Sequence, residues 1–87
     1  MLMIQRTANG EVTFAVSGRL DGASLGQFSE VLARERVGAA VTLELKELLL
    51  VDRDAVDFLR ACEGRGFVLR NCPPYVRIWM ASRGEQA

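Results

Sequence analysis

Val41-Thr42-Leu43-Glu44-Leu45, then Leu48-Leu49-Leu50-Val51, then Asp52-Arg53-Asp54-Ala55-Val56-Asp57-Phe58-Leu59: this stretch decides the fold. Its first part alternates large apolar residues with Thr42 and Glu44, the period of a strand with one buried face. Beyond Asp52 the period changes. Ala55, Val56, Leu59 and Cys62 recur at three and four residues and share one side of a helix, which Asp52 is placed to cap and Gly64 to stop. The leucine run between strand and helix breaks the alternation, so it reads as closing the rim of the core rather than extending the strand.

Upstream, Ser24-x-x-Gln27 has the spacing of a reciprocal helix-start motif. Leu25, Phe28, Val31 and Leu32 form the apolar side of the helix it would open, and Gly38 is placed to end it. Further out, residues 1–7 and 11–18 are strand-like runs around Ala8-Asn9-Gly10, a hairpin signal. In the second run Val12, Phe14 and Val16 alternate with Thr13, Ala15 and Ser17, which sends the larger side chains to one sheet face. Downstream, Gly66-Phe67-Val68-Leu69 reads as a short strand. Pro74 then suits the first turn of a last helix covered by Tyr75, Val76, Trp79 and Met80, with residues 82–87 frayed.

Strand, helix, strand, helix, strand order favours parallel pairing through right-handed crossovers, with Val41–Leu45 central. The expected fold class is α/β: one domain over residues 1–87, a four-stranded mixed sheet packed with three or four helices. One sheet face carries the first two helices, and the other is either covered by the first strand and last helix or partly open to a partner.

Composition narrows the function. The chain has 87 residues, 49% of them apolar, enough for one core but not for a large enclosed cavity. Eleven basic residues balance eleven acidic ones, five against six in residues 1–50 and six against five in residues 51–87. No half carries the surplus of positive charge that a phosphate backbone needs, so no nucleic acid partner is expected. Histidine is absent, which removes the usual proton shuttle near neutral pH and the commonest transition-metal ligand. Cys62 and Cys72 lack the spacing of a zinc site; they read as small buried hydrophobes, with a disulfide or a reactive thiol as the other readings. No signal-like start and no window of roughly 20 apolar residues occurs, so no membrane insertion is expected and a cytoplasmic location is the default.

The densest polar feature is Asp52-Arg53-Asp54-Ala55-Val56-Asp57. Two readings stand for it. Carboxylates at a helix start stabilise that helix by capping and by the dipole alone. The same junction also projects charge from a rigid base, a surface a partner protein can recognise. An acid pair for catalysis would need a water-excluding cleft that nothing here specifies, and a calcium loop would need a glycine and a terminal glutamate that are missing. No glycine pattern forms a phosphate loop, and the single lysine, Lys46, lies between Glu44 and Glu47. Cofactors and metals are therefore not expected, and neither is an enzyme. Trp79 and Tyr75 read either as core anchors of the last helix or as interface residues.

Taken together, Gly18-Arg19-Leu20-Asp21, the strand through Leu43-Glu44-Leu45, and Leu50-Val51-Asp52-Arg53-Asp54-Ala55-Val56 resemble the STAS domain family of anti-sigma factor antagonists. In that family the second strand ends in Gly-x-Leu-Asp and the second helix opens on Asp-Ser-Ser-Gly-Leu. The second serine is phosphorylated by an anti-sigma factor kinase, and the unphosphorylated domain binds that kinase. Asp54 matches that serine, Arg53 stands for the first serine and Ala55 for the glycine. Asp54 has no hydroxyl to phosphorylate, but it places a fixed negative charge where a phosphate would carry about −2. The resemblance implies a non-catalytic interaction module in bacterial regulation. Its surface would comprise Asp21, Asp52, Arg53, Asp54, Ala55 and Asp57, and its partner would be an anti-sigma factor or a related kinase-like regulator. Self-association as a homodimer is left open, and the alternative is a domain that senses a small ligand or nucleotide.

Overall fold

Nine residues of alternating size, Val12–Leu20, form the strand around which the sheet assembles. The structure, a computed structural model, describes residues 2–35 and 39–85. Its elements are β1 (Leu2–Ala8), β2 (Val12–Leu20), α1 (Gly22–Ala33), β3 (Val41–Glu44), β4 (Leu48–Val51), α2 (Arg53–Gly64), β5 (Val68–Arg70) and α3 (Pro74–Glu85). β1 pairs antiparallel with β2 along all seven of its residues, from Leu2↔Gly18 to Ala8↔Val12. The connecting loop places Gly10 at φ 87°, a left-handed position that glycine takes without strain. On the other side of β2 run β3 and then β4, both parallel to it, and β5 lies parallel outside β3. The α/β class and the mixed sheet are as the sequence suggests, and the described residues hold three of the expected three or four helices.

Among the described residues the sheet has five strands rather than four, because the leucine run is a strand of its own. β2 is more than twice as long as β3, so its second half would have an unpaired edge if the chain left the sheet at Glu44. A turn closed by Leu48 N–H donating to Leu45 C=O at 3.1 Å carries the chain onward along the same edge instead. Gly18 pairs with Leu48 and Arg19 with Leu50, leaving Leu49 as an extra residue in a bulge. The kink at Gly18, φ 91°, is one that a side chain would strain. The bulge explains why the alternation fails there: Leu48 and Val51 turn into the core, while Leu49 and Leu50 are 74% and 52% exposed.

One core lies between the sheet and the helices. Phe14, Val16, Leu20, Leu43, Leu45, Leu48 and Val51 meet Phe28 and Leu32 of α1, Ala55, Val56, Leu59 and Cys62 of α2, and Val76 and Met80 of α3. Burying each of the larger side chains is worth roughly 2 kcal/mol. The opposite sheet face carries Met3, Gln5, Thr7, Ala15 and Val68, all exposed, so α3 joins the other helices and does not cover it.

Four helix ends differ from those expected, and the last strand runs over Val68–Arg70 rather than from Gly66 to Leu69. α1 starts at Gly22 under an Asp21 cap, because Asp21 and Ser24 form the reciprocal pair and Gln27 does not. It ends at Ala33; Gly38 lies outside the described residues. α2 includes Gly64, and the left-handed residue beyond it is Gly66, φ 98°. α3 runs on to Glu85 instead of fraying from residue 82, Arg83 being held by Asp57; residues 86 and 87 lie outside the described residues.

Candidate functional site

The ends of β2 and β4 are neighbours in the sheet, Leu20 pairing with Val51, so the helices that follow them start side by side. Asp52 joins the two. One oxygen, Oδ1, accepts from Ala55 N–H at 2.9 Å and caps α2; the other, Oδ2, accepts from Gly22 N–H of α1 at 2.9 Å. These backbone donors, Gly22 first and Ala55 second, hold the Asp52 carboxyl below the usual carboxylate range, since they favour its charged form. Asp21 does the corresponding work for α1, accepting from Ser24 N–H at 3.1 Å while Ser24 Oγ accepts from Asp21 N–H at 3.0 Å. Both helix starts are thus capped from within the chain, and their positive ends already face carboxylates.

Gly22 matters through its size. A methyl group built there would stand 3.0 Å from Asp54 Oδ2 and 3.8 Å from Asp52 Oδ2. The glycine therefore lets both acids approach the start of α1. Asp54 lies in the first turn of α2 with an exposed side chain, and Arg53 beside it is exposed as well. Asp57 is one turn further along, where Arg83 donates to both of its oxygens at 2.8 Å and lowers its carboxyl pKa.

The six residues expected to form the surface thus divide. Arg53 and Asp54 are presented to solvent. Asp21 and Asp52 are half-buried and engaged as caps, and Asp57 is engaged by α3. Ala55 is a correction: it is fully buried against the core and offers a partner no side chain. Its smallness serves packing, and its amide serves Asp52.

Sequence reasoning missed Gly22, Arg83 and the exposed pair Leu49 and Leu50. The glycine directly after Asp21 was a readable sign of a close approach; Arg83 gave no sign, because its partner is 26 residues away. Leu49 and Leu50 are separated from Asp52 only by Val51, and the Leu49 carbonyl accepts from Tyr75 O–H at 3.2 Å. Tyr75 and Ile78, one turn apart on α3, are 47% and 72% exposed, so the apolar surface does not end with the leucines. Trp79 is half-buried against the core, as an anchor of α3.

Elsewhere, a groove of about 430 Å³ runs between α2 and α3, lined by Arg60, Glu63, Gly64, Arg77, Met80 and Ala81. The ion pair of Arg77 and Glu63, 2.8 Å, is part of its lining. Cys62 and Cys72 are both free thiols, Cys62 in the core with burial pushing its thiol up to about 11. Among the described residues no group of three or more Cys, Asp or Glu side chains is arranged to hold a metal, and no helix is long and apolar enough to cross a membrane. No protein-family model matches the sequence, and no curated protein matches it.

Proposed function

We propose that this protein is a STAS-like, non-catalytic interaction module of bacterial regulation, acting in the cytoplasm and docking a protein partner through the start of α2. The observation that carries this reading is the exposure of Leu49 and Leu50 beside Arg53 and Asp54 at a helix start held rigid by Asp52. Large apolar side chains next to fixed charges supply the two parts of a protein interface, area to bury and a charged rim that sets orientation. An anti-sigma factor or a related kinase-like regulator is the partner that the resemblance suggests. Because Asp54 has no hydroxyl, docking is not controlled by serine-type phosphorylation of that residue. The alternative of a nucleotide or small-anion sensor is disfavoured by the capping: Asp21 and Asp52 already occupy the helix-start amides an anion would use.

The test is co-purification from the native cell with wild type, D54A, D54S and a Leu49→Ser/Leu50→Ser variant. A protein retained by the wild type and lost from both D54A and the double leucine variant supports the surface. Equal retention by all four proteins rejects it. Radiolabelled phosphate appearing on D54S alone would further identify a kinase-like partner.

A further inference from the structure

Among the described residues three strands of the sheet have a free edge, and two of them are protected. β5 is only three residues long and is followed at once by Asn71 at φ 53°, which turns the chain away. β4 is bulged at Leu49, and the Tyr75 hydroxyl sits on its carbonyl. β1 has neither defence: it is seven residues long, pairs without any register shift, and contains no proline. Its one charged residue, Arg6, points to the helix side, where its Nε and Nη2 donate to Glu35 at 2.9 and 3.2 Å. A regular edge strand whose charge is already engaged is a template for another strand.

The direction of its backbone groups is determined by β2. Val12 N–H donates to Ala40 and Gly18 N–H to Glu47, so the even residues of β2 face β3 and β4 and the odd ones face β1. In the observed register odd pairs with odd, which leaves the N–H and C=O groups of Leu2, Ile4, Arg6 and Ala8 directed at the free edge.

We infer that the free edge of β1 pairs antiparallel with β1 of a second copy of this chain, centred on Gln5 against Gln5, to make a continuous ten-stranded sheet. This register opposes Leu2 to Ala8, Met3 to Thr7 and Ile4 to Arg6, uses all seven residues, and puts no two like charges directly opposite; the two Arg6 side chains are diagonal neighbours, each held by its own Glu35. The outward groups of the even residues then bond one another, and Gln5 forms the central pair without backbone bonds, its side chain meeting its symmetry mate on the open face. With a formal net charge of zero, two copies approach without overall repulsion. The surface is distinct from the α2 start, so it stands or falls separately from the proposed docking function.

Two exposed-site variants test it. Opposed residues in a pair without backbone bonds have Cα atoms about 4.5 Å apart, within disulfide reach. Q5C, in a Cys72→Ser background, should therefore form a disulfide-linked dimer on mild oxidation. M3C in the same background should not, because Met3 and its symmetry mate are offset by four residues, roughly 13 Å. Wild-type protein should sediment between the 9.6 kDa monomer and its dimer, moving toward dimer as concentration rises. Q5K should weaken that association about fivefold by opposing two lysines, with an unchanged circular dichroism spectrum. A wild type that stays monomeric to millimolar concentration, a dimer indifferent to Q5K, or cross-linking by M3C in place of Q5C would each overturn the proposal.

Discussion

At the residue scale the decisive group is the Asp52 carboxylate, because it serves two helices at once. Replacing it with alanine removes a cap and leaves the Gly22 amide without its partner, and should cost about 1 to 2 kcal/mol in urea unfolding. Its folded pKa lies below its unfolded value near 4. The stabilisation is therefore complete above that unfolded value and is lost as pH falls through the folded one. Urea melts of wild type and D52N should differ from pH 5 upward and converge toward pH 2; a gap that persisted in acid would mean that shape, not charge, is what Asp52 contributes. Gly22 gives a second prediction. The atom nearest an added methyl is the outer oxygen of exposed Asp54, which can swing away, so G22A should fold with stability within about 1 kcal/mol of wild type. Its effect should appear as displaced Asp54 resonances and weakened partner retention; unchanged resonances at Asp54 would show that the close approach does not position that carboxylate.

At the element scale, the apolar periodicity was readable and the interruptions were not. Ala55, Val56, Leu59 and Cys62 all face the core, as their spacing implies, because α2 packs one continuous stripe on the sheet. Leu48 to Val51 was opaque because a bulge puts two consecutive leucines outside, a tertiary arrangement dictated by the length of β2. The start of α1 was misplaced by three residues because Asp21 and Ser24 both have cap chemistry, and only the neighbouring strand ends decide which is used. Of the site, Asp52 as a cap was legible, whereas its second bond to Gly22 lies 30 residues away. α3 shows which forces hold an element. Val76 is fully buried, while the ion pair of Arg77 with Glu63 is exposed and that of Arg83 with Asp57 is part-buried. V76A should destabilise the protein by roughly 2 kcal/mol through lost burial and a cavity. R77A should change stability far less, and its small effect should fade in 1 M salt. A larger loss from R77A than from V76A, measured by thermal unfolding, would reverse this order.

For the whole molecule, stacking the described helices on one side of the sheet leaves β1 and the start of α2 as separate exposed regions. β1 and β4 lie on opposite sides of β2, so about 10 Å of sheet divides them at the usual strand spacing. No hydrogen bond or ion pair between side chains links them across the open face among the described residues; Glu44 there accepts from the Asn71 side-chain amide and from Lys46 N–H. Substitutions this far apart with no shared partner add within about 0.5 kcal/mol. The unfolding free energy of Q5K/D54A should therefore equal the sum of its parents' changes to that margin, and D54A should sediment as wild type does. Coupling beyond that margin, or a D54A protein with altered association, would mean that strand pairing is transmitted through β2 to the helix starts. The Gly18 kink argues against such transmission: it interrupts β2 between the segment that pairs β3 and the segment that leads to Asp21, so strain at β1 is absorbed before it reaches the caps.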